Sequence, residues 1–279
     1  MCRCTGQIAR DVLIHRAALA SSTTSVSAKP LWELGGGLTA LDLPDYRGSD
    51  IRHTYRLPYP YFVYWSERLT VDRDGLRACL FDRNRLEFDL IRAGNFALLA
   101  RDNPVRRGMS KLYPLLEAGP ELDYRLAPPS SASRWADDLR LATRTAVAGG
   151  GGSVQSQGWT VSPYLQQRNA NLMQSGWDAC ASLDALYGSA RYHQYQYGVR
   201  PAEPLAERRA FGAQAGYSGA SVQIGTSRQF RSLWVGAFVR FDALNGAAFI
   251  DSPLANRGNA MSAGVSVSFP LWKSVRPAP

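Results

Sequence analysis

Leu86, Phe88 and Leu90 alternate with Glu87 and Asp89 between Arg85 and Arg92, and only Ile91 breaks the polar phase. Side chains on a strand point to opposite faces with a period of two, so this segment carries one apolar face and one face of carboxylates. The pattern returns over Leu122-Asp123-Tyr124-Arg125-Leu126 and, more weakly, from Leu139 to Thr145. A soluble sandwich alternates in a similar way, with its apolar set buried. Charges of both signs well inside long strands instead favour a barrel with a wet lumen and a lipid-facing wall.

From Leu31 onward, turn chemistry separates candidate strands near 31–41, 56–65, 68–73, 75–81, 84–97, 114–126, 134–147, 158–168, 175–187, 214–228, 232–243 and 260–270. The expected fold class is therefore all-β, an antiparallel transmembrane β-barrel of twelve strands, an even number as in bacterial barrels. Short connections at 66–67, 82–83, 127–133, 169–174 and 229–231 alternate with long ones at 42–55, 98–113, 148–157, 188–213 and 244–259. Only the turn at Asp74 breaks the alternation. Short turns on the periplasmic side and long loops outside are the asymmetry of outer-membrane barrels. On this topology Trp32, Trp65, Trp135, Trp177 and Trp234 fall at periplasmic strand ends, Trp272 just beyond the last strand, and Trp159 at the outer end. Such rings favour a membrane interface, being apolar with one polar handle. Trp234 fits less well, because Leu233, Val235, Ala237 and Val239 occupy the opposite, apolar phase.

At 279 residues the chain suffices for one large barrel. Residues 1–30 read as a degenerate leader or a disordered N-terminal segment, 31–270 as the barrel and 271–279 as a tail. Arg3, Arg10 and Arg16 give the leader a basic start, but Val12-Leu13-Ile14 is its only apolar run, shorter than the roughly 7–15 residues of a secretory signal. No run of 18 apolar residues suggests a membrane-spanning helix. The net charge is +9, and only Lys29, Lys111 and Lys273 among 32 basic residues are lysines. Arginine pairs bidentately with carboxylates and holds its charge in a buried lumen, although a biased genome composition gives the same excess. The arginines are scattered among acids, so nucleic acid is not an expected partner.

Candidate chemistry is sparse. Cys2 and Cys4 fall in the leader, and Cys79 and Cys180 on well-separated strands, so no disulfide framework and no zinc site are expected. His193 lies in the longest loop with Ser189 and Asp184 as conceivable relay partners, but its tyrosine neighbours suggest packing. Gly216-Tyr217-Ser218-Gly219-Ala220 lacks the final glycine of a nucleophile elbow. Asp72 and Asp74 flank a turn, and Asp137 and Asp138 point to opposite faces, so neither is a shared-proton pair. Gly149 to Gly152 is a flexible loop without the residues of a phosphate loop. No catalytic, metal-binding or cofactor-binding residue is assigned. The coherent set is lumenal: Glu87, Asp89, Glu121, Asp123, Arg125, Asp138, Arg140 and Arg144 share the inward phase, either lining a narrow pore or bracing a closed barrel. Mixed signs on neighbouring strands favour bracing.

Trp32-Glu33-Leu34-Gly35-Gly36-Gly37, Leu43-Pro44-Asp45-Tyr46-Arg47-Gly48-Ser49-Asp50 and Pro58-Tyr59-Pro60-Tyr61-Phe62-Val63-Tyr64 resemble the opening of the MipA/OmpV outer-membrane family. Val71-Asp72-Arg73-Asp74-Gly75, Arg107-Gly108-Met109, Tyr192-His193-Gln194-Tyr195 with Tyr197-Gly198-Val199, Trp234 to Arg240 and Asp251-Ser252-Pro253-Leu254 continue it in collinear order. The resemblance implies an outer-membrane barrel without known catalytic residues. It also implies a scaffold joining a murein lytic transglycosylase to a peptidoglycan synthase, the role for which the family is named. The expected function is thus a non-enzymatic scaffold in the outer membrane, in contact with its lipid. A small-solute pore or uptake channel is the alternative, and a hydrolase a distant third for want of histidines and motif.

Overall fold

The computed structural model describes residues 30–65, 69–72, 75–83, 86–95, 103–110, 112–113, 115–127, 134–150, 153–203 and 208–276, with 69–95 described as backbone only. Residues 1–29, Asp74, Gly151 and Gly152 lie outside the described residues, as do the side chains of Cys79, Glu87 and Asp89.

Nine strands form one continuous, curled antiparallel sheet. They are β1 (Trp32–Pro44), β2 (Arg52–Trp65), β6 (Leu115–Ala127), β7 (Trp135–Gly150), β8 (Ser153–Leu172), β9 (Trp177–Gly188), β10 (Gly216–Phe230), β11 (Leu233–Ala243) and β12 (Asn259–Lys273). Each pairs with its chain neighbour, and β1 pairs with β12 as well as with β2. The backbone of β3 (Leu69–Asp72), β4 (Gly75–Arg83) and β5 (Leu86–Asn95) carries the ladder from β6 back to β2, so the hydrogen-bonded order returns on itself. That return is thin at one place, where β3 meets β2 only through Tyr64 opposite Val71 and Trp65 opposite Thr70.

The period-two pattern sorts the faces as expected. On β6, Leu116, Leu122, Tyr124 and Leu126 are exposed, while Glu117, Glu121 and Asp123 are buried. On β7, Leu139 and Leu141 are exposed, while Asp138, Arg140 and Ala142 are buried. The inverted partition continues through Leu183, Ile224, Val239 and Val265 outside, against Cys180, Gln223 and Asp242 inside. Apolar outside and charged inside is the partition of a wall that faces lipid.

One strand end carries long connections and the other tight turns. Residues 45–51, 103–110, 112–113, 189–203, 208–215 and 244–258 gather at the loop end, with a short helix α1 (Ala190–Tyr197) inside the longest connection. At the turn end, β10 and β11 are joined by Arg231 and Ser232 alone. Residues 148–150 and 153–157, expected within a long loop, are instead strand: Ala148 pairs with Gln155 and Gly149 with Val154, so β7 and β8 run on as a hairpin. Beyond the hydrocarbon both strand faces can be wet, so no alternation marks that extension. β12 likewise runs on to Lys273, and Trp272, opposite Leu34, is part of it rather than beyond it. Trp32, Trp65, Trp135 and Trp177 stand at turn-end strand termini. Trp234 lies on the inward phase, its ring over Gly236.

Disulfide bonding departs from expectation, since Cys180 is disulfide-bonded. Its position on the inward face of β9 gives the reason. An inward side chain is open to partners that strand spacing in the sequence does not reveal.

The β1 seam depends on missing side chains. Gly35 and Gly37 stand opposite Tyr61 and Tyr59, whose rings lie over them, and a Cβ at Gly37 would come within 2.7 Å of the Tyr59 ring. Gly37→Val should therefore destabilise the sheet by about 1–3 kcal/mol through overpacking. Gly36→Ala, whose Cβ would meet nothing nearer than the Tyr59 carbonyl oxygen at 4.0 Å, should be tolerated. Urea unfolding followed by heat-modified gel mobility would check both.

Candidate functional site

The inward charges meet because register puts them opposite one another. Asp123 faces Arg140 across β6 and β7, and Asp138 faces Arg125 on one side and Gln166 on the other. Arg140 reaches Asp123 at 2.7 Å, Glu121 at 3.4 Å and Asp138 at 3.4 Å, and lies 5.9 Å from the Tyr164 ring centre. Arg168 donates through Nε to Asp138 at 3.1 Å, and Arg144 approaches Glu121 at 3.5 Å. Within this group three guanidinium groups balance three carboxylates. Arg140 and its three acidic partners are almost wholly buried. A buried charge is tolerated only when paired and hydrogen-bonded, so these residues act as a unit.

A second group lies nearer the loop end. Arg240 donates to Asp242 at 2.9 Å, Arg47 meets Asp242 at 2.9 Å, and Ser221 donates to Asp184. Arg47 belongs to the first loop, so this pair ties the strand wall to what covers it.

That cover is a small core of its own. Tyr46, Leu112, Tyr197, Val199, Leu244, Phe249 and Leu254 are buried together, with Tyr197 stacked on Phe249 at 3.6 Å between ring centres. Tyr46 donates to the Leu254 carbonyl at 2.9 Å, Tyr197 to that of Arg47 at 2.9 Å, and Ser252 to that of Tyr197 at 2.7 Å. Arg106, in a 3-10 turn at Pro104–Arg106, donates to the Gln196 carbonyl at 2.8 Å. Arg208 donates to the carbonyls of Val105 and Arg107 at 2.7 and 2.9 Å. Four loops are thus cross-tied into one plug. Burial pushes the Tyr46 hydroxyl up to about 12 and also raises that of Tyr197, so both stay neutral donors.

Helix α1 is the centre of the plug. Ser189 caps it, accepting from Tyr192 N at 3.3 Å and from Trp159 N at 3.1 Å. Tyr192 donates to Glu117 at 3.2 Å, joining the helix to the lumen. His193 is fully buried; its Nδ1 lies 2.6 Å from the Gln214 carbonyl oxygen and its Nε2 2.6 Å from Ser218 Oγ. A carbonyl only accepts, so Nδ1 carries the proton and Ser218 donates to Nε2. A β-bulge between Tyr217 and Ala220, with Gly219 at φ +101°, turns Ser218 inward. Gly188 leaves the space, since a Cβ there would lie 2.6 Å from His193 Nε2.

The sequence had His193 beside Ser189 or Asp184. Ser189 instead caps the helix and Asp184 binds Ser221, while Ser218 pairs with the imidazole. Ser218 was signalled only by Gly216 and Gly219 interrupting a strand. The contact has the spacing of a nucleophile and its base, but both residues are at most 1% exposed, and in this arrangement the bond pins the helix to β10. Asp137 and Asp138 diverge as expected: Asp138 is buried in the lattice, and Asp137 accepts from Gln167 at 2.9 Å on the outer face. No group of three metal-ligating side chains occurs among the described residues.

Two outcomes follow from this geometry. Arg140→Leu should destabilise the fold by about 3–5 kcal/mol, because Glu121, Asp123 and Asp138 each lose a buried cationic partner. An Asp123→Asn, Arg140→Leu double variant should fall short of the sum of the single losses, as a thermal series on the purified protein would read. Burial, with the neighbouring Arg47 charge, holds the His193 pKa below its ordinary value of 6.5. The folded plug therefore binds fewer protons than the opened loop, so its stability is complete above about pH 6.5 and falls as pH drops below it. The groups packed around the ring (Tyr192, Tyr197, Phe249, Ser218 and Arg47) include no carboxylate to offset the added charge. Limited proteolysis within 189–215 should accelerate between pH 7 and 5, and His193→Gln should flatten that dependence.

Known structures give faint matches. The outer-membrane channel DcaP of Acinetobacter baumannii is 8% identical, with 91% of this chain and 100% of that one covered at a TM-score of 0.35. OprD of Pseudomonas aeruginosa is 7% identical over 89% and 97% at 0.26. The toluene transporter TbuX of Ralstonia pickettii is 10% identical over 88% and 70% at 0.25. Scores this low carry no argument here. No curated protein matches the sequence. The family described as MltA-interacting protein MipA, by contrast, matches residues 36–270, from the glycines of β1 to the aromatic end of β12. The chain belongs to the MipA family.

Proposed function

We propose that the protein is a closed, twelve-strand barrel of the outer membrane that serves as a non-enzymatic scaffold, holding a murein lytic transglycosylase and a peptidoglycan synthase at its periplasmic side. Family membership supports the barrel and its location. The observation that carries the scaffold over a channel is the interior: a buried lattice of paired charges around Arg140 beneath a plug of four cross-tied loops. A solute path would need wet, unpaired walls where these residues are buried and paired. In this reading the loop end faces outward and the tight turns, with the rim of Trp32, Trp65, Trp135 and Trp177, face the periplasm. Residues 1–30 are the leader, the barrel runs from 31 to the end of β12 at Lys273 with a short tail after it, and lipid surrounds the exposed leucine, valine and aromatic wall.

The full chain, solubilised from outer membranes in mild detergent, should retain a murein lytic transglycosylase on affinity capture. Repeated loss of that enzyme at low detergent and low salt would remove the scaffold. In planar bilayers the same preparation should give no large steady conductance; such channels would put a solute pore in the scaffold's place.

A further inference from the structure

The lipid-facing wall is not uniform. Across β10, β11, β12, β1 and β2 two rows of outward residues run along the hydrogen-bonding direction. One is Ile224, Val239, Ala263, Asp42 and Thr54. The other is Thr226, Ala237, Val265, Ala40 and Arg56. All of these but Arg56 line an almost wholly apolar groove of about 530 Å³, floored by Ala40, Ala237 and Ala263 with Ile224, Val239 and Val265 as relief. Five strands about 4.8 Å apart make it roughly 19 Å long, the scale of an extended acyl chain.

Its β2 end carries charge. Arg52 pairs with Asp42 at 2.5 Å, an exposed ion pair. Arg56, directly opposite Ala40, is exposed and has no acidic partner among the described residues. An arginine on a lipid-facing wall is costly at the bilayer centre and nearly free at the interface. A span takes about 9–11 residues, and about nine counted up β2 from Trp65 reach Arg56. The cation thus stands where headgroup phosphates lie, and the groove runs away from it along the apolar wall.

We propose that this groove binds one phosphate-bearing lipid of the outer leaflet, with an acyl chain along Ala40, Ala263 and Ala237 and the phosphate on Arg56, steadied by the Arg52–Asp42 pair. An oxygen anion beside Arg56 supplies a partner that the described residues do not, and guanidinium meets phosphate bidentately. The site rests on the membrane-spanning reading of the wall, and the test separates the two.

Native mass spectrometry of the detergent-solubilised full chain, offered phosphatidylglycerol and phosphate-free diacylglycerol with matched chains, would read retention directly. The wild type should keep a single phosphatidylglycerol about tenfold better, the scale of one charge-assisted hydrogen bond. Inorganic phosphate should not displace it. Arg56→Gln should abolish the headgroup preference while a chain is still retained, and Arg56→Lys should restore part of it. Ala237→Trp, which fills the groove from the lipid side, should remove both. Equal retention of the two lipids by the wild type, or unchanged retention in Arg56→Gln and Ala237→Trp, would overturn the site. In either case the heat-modifiable gel shift of a folded barrel would persist, so the spanning wall would stand without the groove. Loss of that shift in the wild type would instead sink the spanning reading itself.

Discussion

A guanidinium shut away from water must be surrounded by acceptors, and Arg140 makes that requirement the organising constraint of the interior. Its partners Glu121, Asp123 and Asp138 come from two strands, and Arg168 from a third. Each ion is admissible only because the others are present. The pairing therefore fixes register: a one-residue slip of β7 against β6 would turn Arg140 into the lipid and away from Asp123. Hydrophobic burial cannot do this here, since the apolar phase points outward into a solvent as apolar as itself. Order inside the sheet has to come from polar contacts and from close approaches such as those of Tyr59 and Tyr61 over Gly37 and Gly35.

The same constraint explains the plug. A lattice of charges is cheap to hydrate, and water entering from the loop end would loosen it. Covering it requires apolar surface, which the strands have spent on the outer wall. The loops supply it as a separate small core, with Tyr197 stacked on Phe249 and Leu244 and Leu254 beneath. Loop backbone brought inside must also find partners. Arg106, Arg208, Ser252 and the two buried tyrosines meet that need by donating to carbonyls rather than to one another.

What the sequence disclosed follows from this division. Where one face meets lipid and the other charge, the period of two is strong, and Glu121, Asp123, Asp138, Arg140 and Arg144 could be placed inward as members of one set. Which of them touch depends on register, which alternation alone leaves open. Where that contrast lapses, legibility lapses too. Gly149 to Gln157 read as loop because a hairpin wet on both faces has no alternation. Helix α1 was hidden among tyrosines of low helix propensity, and its capping serine was taken for a relay partner. The bond from His193 to Ser218 spans 25 positions and rests on a bulge that reverses the expected phase of one residue. Cys180 was misread for a related reason, since alternation shows that it faces inward and not which residue it meets there.

The two ends of the molecule are left unlike. At the loop end apolar groups are consumed internally, and the tyrosines and arginines of the plug are largely engaged with one another. At the turn end the aromatic residues stay exposed: Trp135 and Trp272 face outward, and Arg228 lies 4.7 Å from the ring centre of Phe230, which in turn meets Trp177 edge-on. Interface residues of this kind anchor a wall in its bilayer, but the turns between them are too short to form a binding domain. On the scaffold reading, a periplasmic enzyme would therefore meet a flat rim of turns and rings rather than a pocket. Such contacts are wide and individually weak, and gain strength when several modules are held on one surface. A barrel that is closed above and broad below offers that geometry without any moving part, so assembly would depend on which partners arrive rather than on a change in the barrel.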